Sequence, residues 1–193
     1  MRLSFRIDGS GCILFALLLL VLPVNWLASS VAAAVFHEIC HAAAIWLTGG
    51  RIWGLCIGAT GIFMETSPME TGQELFCALA GPAGSFLLVF LLPVCPRLAI
   101  CAGIQGLFNL LPVYPMDGGR VLQAACQLIF SDDWSKKICS AAKWAVVMAA
   151  IVAALVATFR YKAGIFPVLL AGFLLSKVLE GKIPCKEGNL AVQ

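Results

Sequence analysis

The sequence predicts an all-α polytopic membrane protein, with about six transmembrane helices and a small membrane-associated β-hairpin after the second. Three observations predict it: a surplus of apolar residues, a series of long apolar runs, and basic residues gathered on one side of those runs. Of 193 residues, 61% are hydrophobic and 12% are charged, and the mean hydropathy is +0.97. A soluble domain of this length needs far more polar surface to cover its core. The surplus must face lipid. No polar stretch is long enough to form a second domain, so residues 1–193 read as a single membrane-embedded unit. The net charge of +3 is too small to suggest a nucleic-acid partner.

Six apolar segments follow one another. The first covers 11–27. Arg2 and Arg6 precede it as they would a secretory signal. The small residues of 28–34 lead directly into more apolar sequence, so no cleavage site stands in a polar context and the segment is retained. The second, 28–48, is closed by Gly49 and Gly50. The third and fourth cover 73–94 and 98–111, the fourth being short for a span. The fifth covers 138–159 and the sixth 164–179. Between the second and third, 50–65 has another character. Ile52, Leu55, Ile57, Ile62 and Phe63 flank a Gly-Ala-Thr-Gly break, which predicts a hairpin. At membrane depth its edges need protein around them.

Charge placement sets the orientation. With the N-terminus cytoplasmic, that side receives Arg2, Arg6, Arg51, Arg120, Lys136, Lys137, Lys143, Lys177, Lys182 and Lys186. The other side receives only Arg97, Arg160 and Lys162. Both termini are therefore expected in the cytoplasm. Nine cysteines, an odd number with no CxxC pair, argue against a disulfide framework or a structural zinc knot. Cys12, Cys77, Cys95, Cys101, Cys126 and Cys139 read as small buried hydrophobes.

The second segment carries the chemistry. Phe36-His37-Glu38-Ile39-Cys40-His41-Ala42 contains HExxH, and these are the only two histidines in the chain. Residues i and i+4 share a helix face, so both imidazoles reach one metal ion, and Glu38 stands beside that face as a base. Zinc suits the arrangement, because it lowers the pKa of a coordinated water toward ~7. An ionisable group within a span costs roughly 2.5–3.5 kcal/mol on insertion scales, which favours a functional reading over a packing one. A third ligand must be Asp, Glu or Cys. Asp117 is the acid that the sequence aims: it follows the fourth segment in Asn109-Leu110-Leu111-Pro112-Val113-Tyr114-Pro115-Met116-Asp117-Gly118-Gly119-Arg120. Two prolines fix the backbone before it, and two glycines permit a tight turn after it. Asn109 is a candidate for binding substrate or a developing oxyanion, against a packing or capping role. Cys40 reads as packing. Glu65, Glu70, Glu74, Asp132 and Asp133 read as solvated loop charges.

HExxH in one span with NxxPxxPxDGG at the end of a later one resembles the site-2 protease family of intramembrane zinc metalloproteases. The resemblance covers 31–120 by motif and the remainder by span count. It implies zinc held by His37, His41 and Asp117, with Glu38 as general acid/base. It also implies hydrolysis of a peptide bond in or near a transmembrane segment of a membrane-associated protein. Within the family the chain looks most like the stage IV sporulation proteases of bacteria. That likeness implies a multi-pass place in the bacterial cell membrane and a pro-sigma or anti-sigma substrate, and leaves room for an inhibitory membrane partner. Two departures stand out. The chain stops shortly after its sixth segment, without the C-terminal CBS domain of those relatives. Its Gly81-Pro82-Ala83-Gly84-Ser85 has serine where family members often have asparagine in GPxxN.

Two rival readings remain at this level. A membrane zinc-binding transporter or regulator also places histidines and acids in spans, but has no use for Glu38 as a base. An HExxH protease of the CAAX-processing type takes a glutamate as third ligand, and the Asp117 motif speaks against it.

Overall fold

The computed structural model describes residues 4–7, 23–58, 61–114, 116–162, 164, 167–169, 171, 172 and 175. Strand β1 (Ser4–Ile7) is followed by helix α1 (Val24–Leu47), strands β2 (Ile52–Gly58) and β3 (Gly61–Thr66), and helices α2 (Thr71–Val89), α3 (Pro96–Asn109), α4 (Asp117–Ile129) and α5 (Asp132–Tyr161).

Local chemistry sets these boundaries. Pro23 precedes α1 with φ −57°, a value its ring imposes. At the other end Gly49 adopts φ +77°. Its N–H donates to the Trp46 carbonyl at 3.0 Å, and that of Gly50 to the Ile45 carbonyl at 2.8 Å. This left-handed close satisfies the last free carbonyls and turns the chain into the sheet. Helix α2 opens at Glu70, whose N–H donates to Gln73 Oε1 at 3.2 Å. Asp132 and Asp133 occupy the first turn of α5, where the helix dipole favours negative charge. Glu70, Asp132 and Asp133 are thus helix-start residues, whereas the sequence suggested loop charges.

The expected hairpin is present: β2 and β3 pair antiparallel from Ile52↔Thr66 to Gly58↔Gly61. It belongs to a three-stranded sheet in the order β1-β2-β3, because β1 adds in parallel, from Ser4↔Gly54 to Ile7↔Ile57. Met64 and Ile52 join Ala44, Ile45 and Cys77 in one apolar cluster, which fixes the sheet to the C-terminal end of α1.

Among the described residues three helices, α1, α2 and α5, are long and apolar enough to cross a membrane. The first apolar segment of the sequence, 11–27, lies outside the described residues up to 22, and its last residues open α1. The sixth, 164–179, is described only in part. The fourth is the 14-residue α3, about 21 Å long and short of the ~30 Å hydrocarbon layer. Helix α4 had no counterpart among the apolar segments, because its polar Gln123 and Gln127 interrupt any apolar run.

The helices meet through small side chains. Helix α1 packs on α2 and α3, α2 on α3 and α4, and α4 on α5. Ala33, Ala78 and Ala102 are wholly buried, and Ala44, Ala99 and Ala124 nearly so. Large apolar side chains, such as Val31, Trp46, Leu87, Val152 and Phe159, point outward. In lipid this inversion is expected, since close backbone approach rather than withdrawal from water holds helices together. Of the cysteines, Cys77 and Cys126 are buried, as expected; Cys101 and Cys139 are partly covered, and Cys95 is exposed.

Ala102 packs on Ala33 and Leu88 in one such seam. Ala102→Leu is expected to destabilise the fold by about 1–3 kcal/mol through overpacking, read as a lowered midpoint of unfolding in detergent. Ile104→Leu, at a position 65% exposed on the same helix, is expected to leave it unchanged.

Candidate metal centre

His37 and His41 lie one turn apart on the buried face of α1, at 1% and 7% exposure. Their rings stand edge to face, 79° apart. Asp117, the first residue of α4, reaches them from the opposite side. Its Oδ2 is 2.9 Å from Nε2 of His37 and 3.1 Å from Nε2 of His41, and the two Nε2 atoms are 3.2 Å apart. Among the described residues these three form the group able to hold a metal ion.

The second ring nitrogens decide which atoms face the centre. Nδ1 of His41 lies 2.7 Å from the Cys77 carbonyl, which can only accept, so Nδ1 carries the proton and Nε2 the lone pair. Nδ1 of His37 lies 2.8 Å from Oγ of Ser85, which is fully buried. Serine at the position where asparagine is common therefore holds a zinc-facing imidazole in place.

Helix α2 supplies both supports because of Gly81-Pro82. Pro82 lies inside α2 and withholds the backbone donor that the Ala78 carbonyl would take, one residue beyond the Cys77 carbonyl that meets His41. Gly81 faces the ligands. A Cβ there would press on Nε2 of His41 and lie 2.7 Å from Nε2 of His37. The missing methyl leaves both ring nitrogens free to turn to a common ion. Gly84 lets α2 ride directly over Cys40, whose side chain packs there as expected.

Asp117 is aimed differently from the sequence expectation. Gly118 and Gly119 do not form a turn after the acid; they belong to the first turn of α4. A Cβ on Gly118 would strike the Leu110 carbonyl, and one on Gly119 would come within 2.5 Å of the Tyr114 nitrogen. The glycines let the helix start lie flat on 110–114, and this contact sets the carboxylate at the depth of the histidines. A carboxylate ligates a metal in its ionised form, and Asp117 turns its Oδ2 to the ring nitrogens of both histidines.

The donor set fits zinc. Two imidazoles and one carboxylate, with no thiolate, are a set found in catalytic zinc sites that keep a fourth position open. Tetrahedral zinc at ~2.0–2.1 Å from three donors needs donor–donor edges of about 3.3 Å; the observed edges are 2.9–3.2 Å. Around the triangle stand Glu38, half-buried on α1, and Asn109, whose Nδ2 is 3.1 Å from Nε2 of His37. Arg120 of α4 leans toward Glu74 of α2, with Nε 3.7 Å from Oε1. All five candidate residues, His37, Glu38, His41, Asn109 and Asp117, thus gather at one place. Sequence reasoning missed the parts of Gly81 and Ser85; a glycine-proline step inside a long apolar helix was the available signal.

The whole arrangement is that of a known membrane fold. The chain matches the site-2 protease from Methanocaldococcus jannaschii with a TM-score of 0.71, covering 98% of this chain and 96% of that one at 20% identity. At that identity the likeness is one of fold. In sequence, residues 11–111 match the family described as Peptidase M50B-like, and 91–156 match Peptidase family M50. The first match takes in more than half of the chain and the HExxH residues, and the second takes in Asp117. The chain belongs to the M50 peptidases, the site-2 protease family. A zinc metalloprotease of the same archaeon is 31% identical over 108 residues, 48% of this chain, and the chain spans about a third (31%) of that relative's length.

Two substitutions test the centre by metal content alone. Gly81→Ala is expected to reduce bound zinc from one ion per chain to near none with helicity unchanged, measured by plasma mass spectrometry and circular dichroism. Ser85→Ala is expected to weaken zinc roughly 10–100-fold in competition with a chelator, as loss of an outer hydrogen bond to a ligating histidine does. Unchanged affinity would remove Ser85 from the zinc support.

Proposed function

We propose that this protein is an intramembrane zinc metalloendopeptidase, with His37, His41 and Asp117 as ligands and Glu38 as general acid/base. The observation that carries the reading is the triangle of two imidazoles and one carboxylate with a glutamate beside it on the same helix. Bound zinc supplies the Lewis acid that polarises the scissile carbonyl and activates water. Glu38 takes a proton from the attacking water and delivers it to the leaving amine. The Asn109 amide, next to His37, donates to the oxyanion that develops on the carbonyl.

Water has a short way in. His41 precedes Leu47, the end of α1, by six residues, about 9 Å of helix, on the side where the sheet lies. We assign that side to the cytoplasm on the basic residues, and the full chain to six spans with both termini inside. The pairing of β1 with β2 keeps Ile7 and Ile52 on one side of the bilayer, which agrees with this topology.

A substrate helix must extend locally before its carbonyls can be attacked. Since β2 is flanked on both sides, the sheet edges left among the described strands are those of β1 and β3. β3 is fastened through Met64 to Cys77, whose carbonyl orients His41. An extended substrate segment adds to that edge as a further strand. The proposed substrates are membrane-associated pro-sigma or anti-sigma factors of a bacterial cell membrane.

Glu38→Gln is expected to keep zinc and to lower cleavage of co-expressed membrane-bound pro-sigma or anti-sigma candidates by roughly 10²–10⁴-fold. Cleavage at the unaltered rate would sink the mechanism, and zinc-dependent transport without cleavage would favour a transporter. Asn109→Ala is expected to retain zinc and lose roughly 10²–10³ in kcat, as removal of one oxyanion donor does; loss confined to KM would make Asn109 a substrate-binding group instead.

A further inference from the structure

On the far side of α4 from the metal centre, a cavity of about 290 Å³ with a mainly apolar wall and several polar groups opens between α4 and α5. Gln123 and Gln127 line it from α4, one turn apart, and Lys136 and Lys143 line it from α5, two turns apart. Ser135 and Ser140 also line it, and Asp132 is the acid in the lining. Two ammonium groups against one carboxylate leave net positive charge. Lysine can only donate, while amide and hydroxyl groups donate as needed. Such a set recognises a phosphate oxyanion as charge plus several hydrogen bonds.

Depth narrows the source. Helix α5 has 30 residues, about 45 Å of helix against ~30 Å of hydrocarbon, so its first turns stand at the level of lipid headgroups. From Trp144 to Phe159 it carries no charge, and its outer face there exposes Met148, Val152, Leu155 and Val156. Lys143 thus marks the boundary of the apolar layer. Trp144 lies under Lys143, at 5.8 Å, an aromatic-basic pair at that boundary, and Trp134 lies under Lys137, at 5.1 Å, about 15 Å further toward the start of the helix.

We propose that the α4–α5 cavity is a phosphate-ester site, and that its depth suits the headgroup of an anionic phospholipid. The full chain is reconstituted in phosphatidylcholine vesicles containing a minor share of phosphatidylglycerol, then released into detergent. Retained lipids are counted by native mass spectrometry, and inorganic phosphate binding is followed in parallel by phosphorus NMR. Phosphatidylglycerol is expected to be retained about tenfold over phosphatidylcholine. The Lys136→Gln/Lys143→Gln protein is expected to show near parity, and Gln123→Glu, which adds an acid at an exposed wall, a several-fold loss. Lys137→Gln, outside the cavity lining, is expected to change nothing. Retention at parity with inorganic phosphate bound by the unaltered chain, and lost in the double variant, supports the site with a soluble phosphate as its ligand. Parity without phosphate binding overturns the proposal, and so does a loss in Lys137→Gln equal to that of the pair, which would make the effect one of general surface charge.

Discussion

Three lone-pair donors, two from neutral imidazoles and one from a carboxylate, are turned on one point within a bundle of apolar helices. Without a cation between them such groups repel one another, and in a low-dielectric setting the repulsion is strong. The rest of the structure is fitted to this constraint. Gly81 withholds a methyl group from the point itself. The Cys77 carbonyl orients His41, and Ser85 orients His37. Gly118 and Gly119 let the start of α4 lie against the preceding turn, so that Asp117 arrives at the right depth. Each is a local exception to regular helix chemistry, and each touches a ligand or the backbone that carries one.

What the sequence disclosed follows from which forces are local. His37, Glu38 and His41 were legible because helical spacing alone puts both imidazoles on one face, and the membrane makes such residues conspicuous. Asp117 was legible as a destination, through the prolines before it and the glycines after it. The reason was not, since the glycines answer to a backbone contact with 110–114 that no sequence window contains. Ser85 could be noticed only as a departure; its bond to His37 joins residues 48 positions apart. Helix α4 escaped notice because its period is amphipathic while its neighbours are uniformly apolar. Strand β1 has four residues and a partner beyond a whole helix, so its pairing had no local signal.

The same contrast separates the two faces of the molecule. Inside, alanine and glycine bring backbones together, and of the buried polar residues among those described all but Ser135 belong to the centre or its supports. Outside, bulky side chains meet lipid along α1 and α5. A substitution of similar size therefore has opposite consequences on the two faces: added volume inside separates helices, and outside it meets a fluid that gives way.

The parallel pairing of β1 with β2 bears on how the molecule is assembled. β1 is made first, yet its hydrogen-bonding partner does not exist until α1 has been synthesised and threaded into the bilayer. If α1 entered in the inverted direction, Ile52–Gly58 would emerge on the wrong side and β1 would stay unpaired. The closed sheet thus fits only one direction of α1, so that a four-residue strand and the helix that carries the histidines are tied to each other's placement.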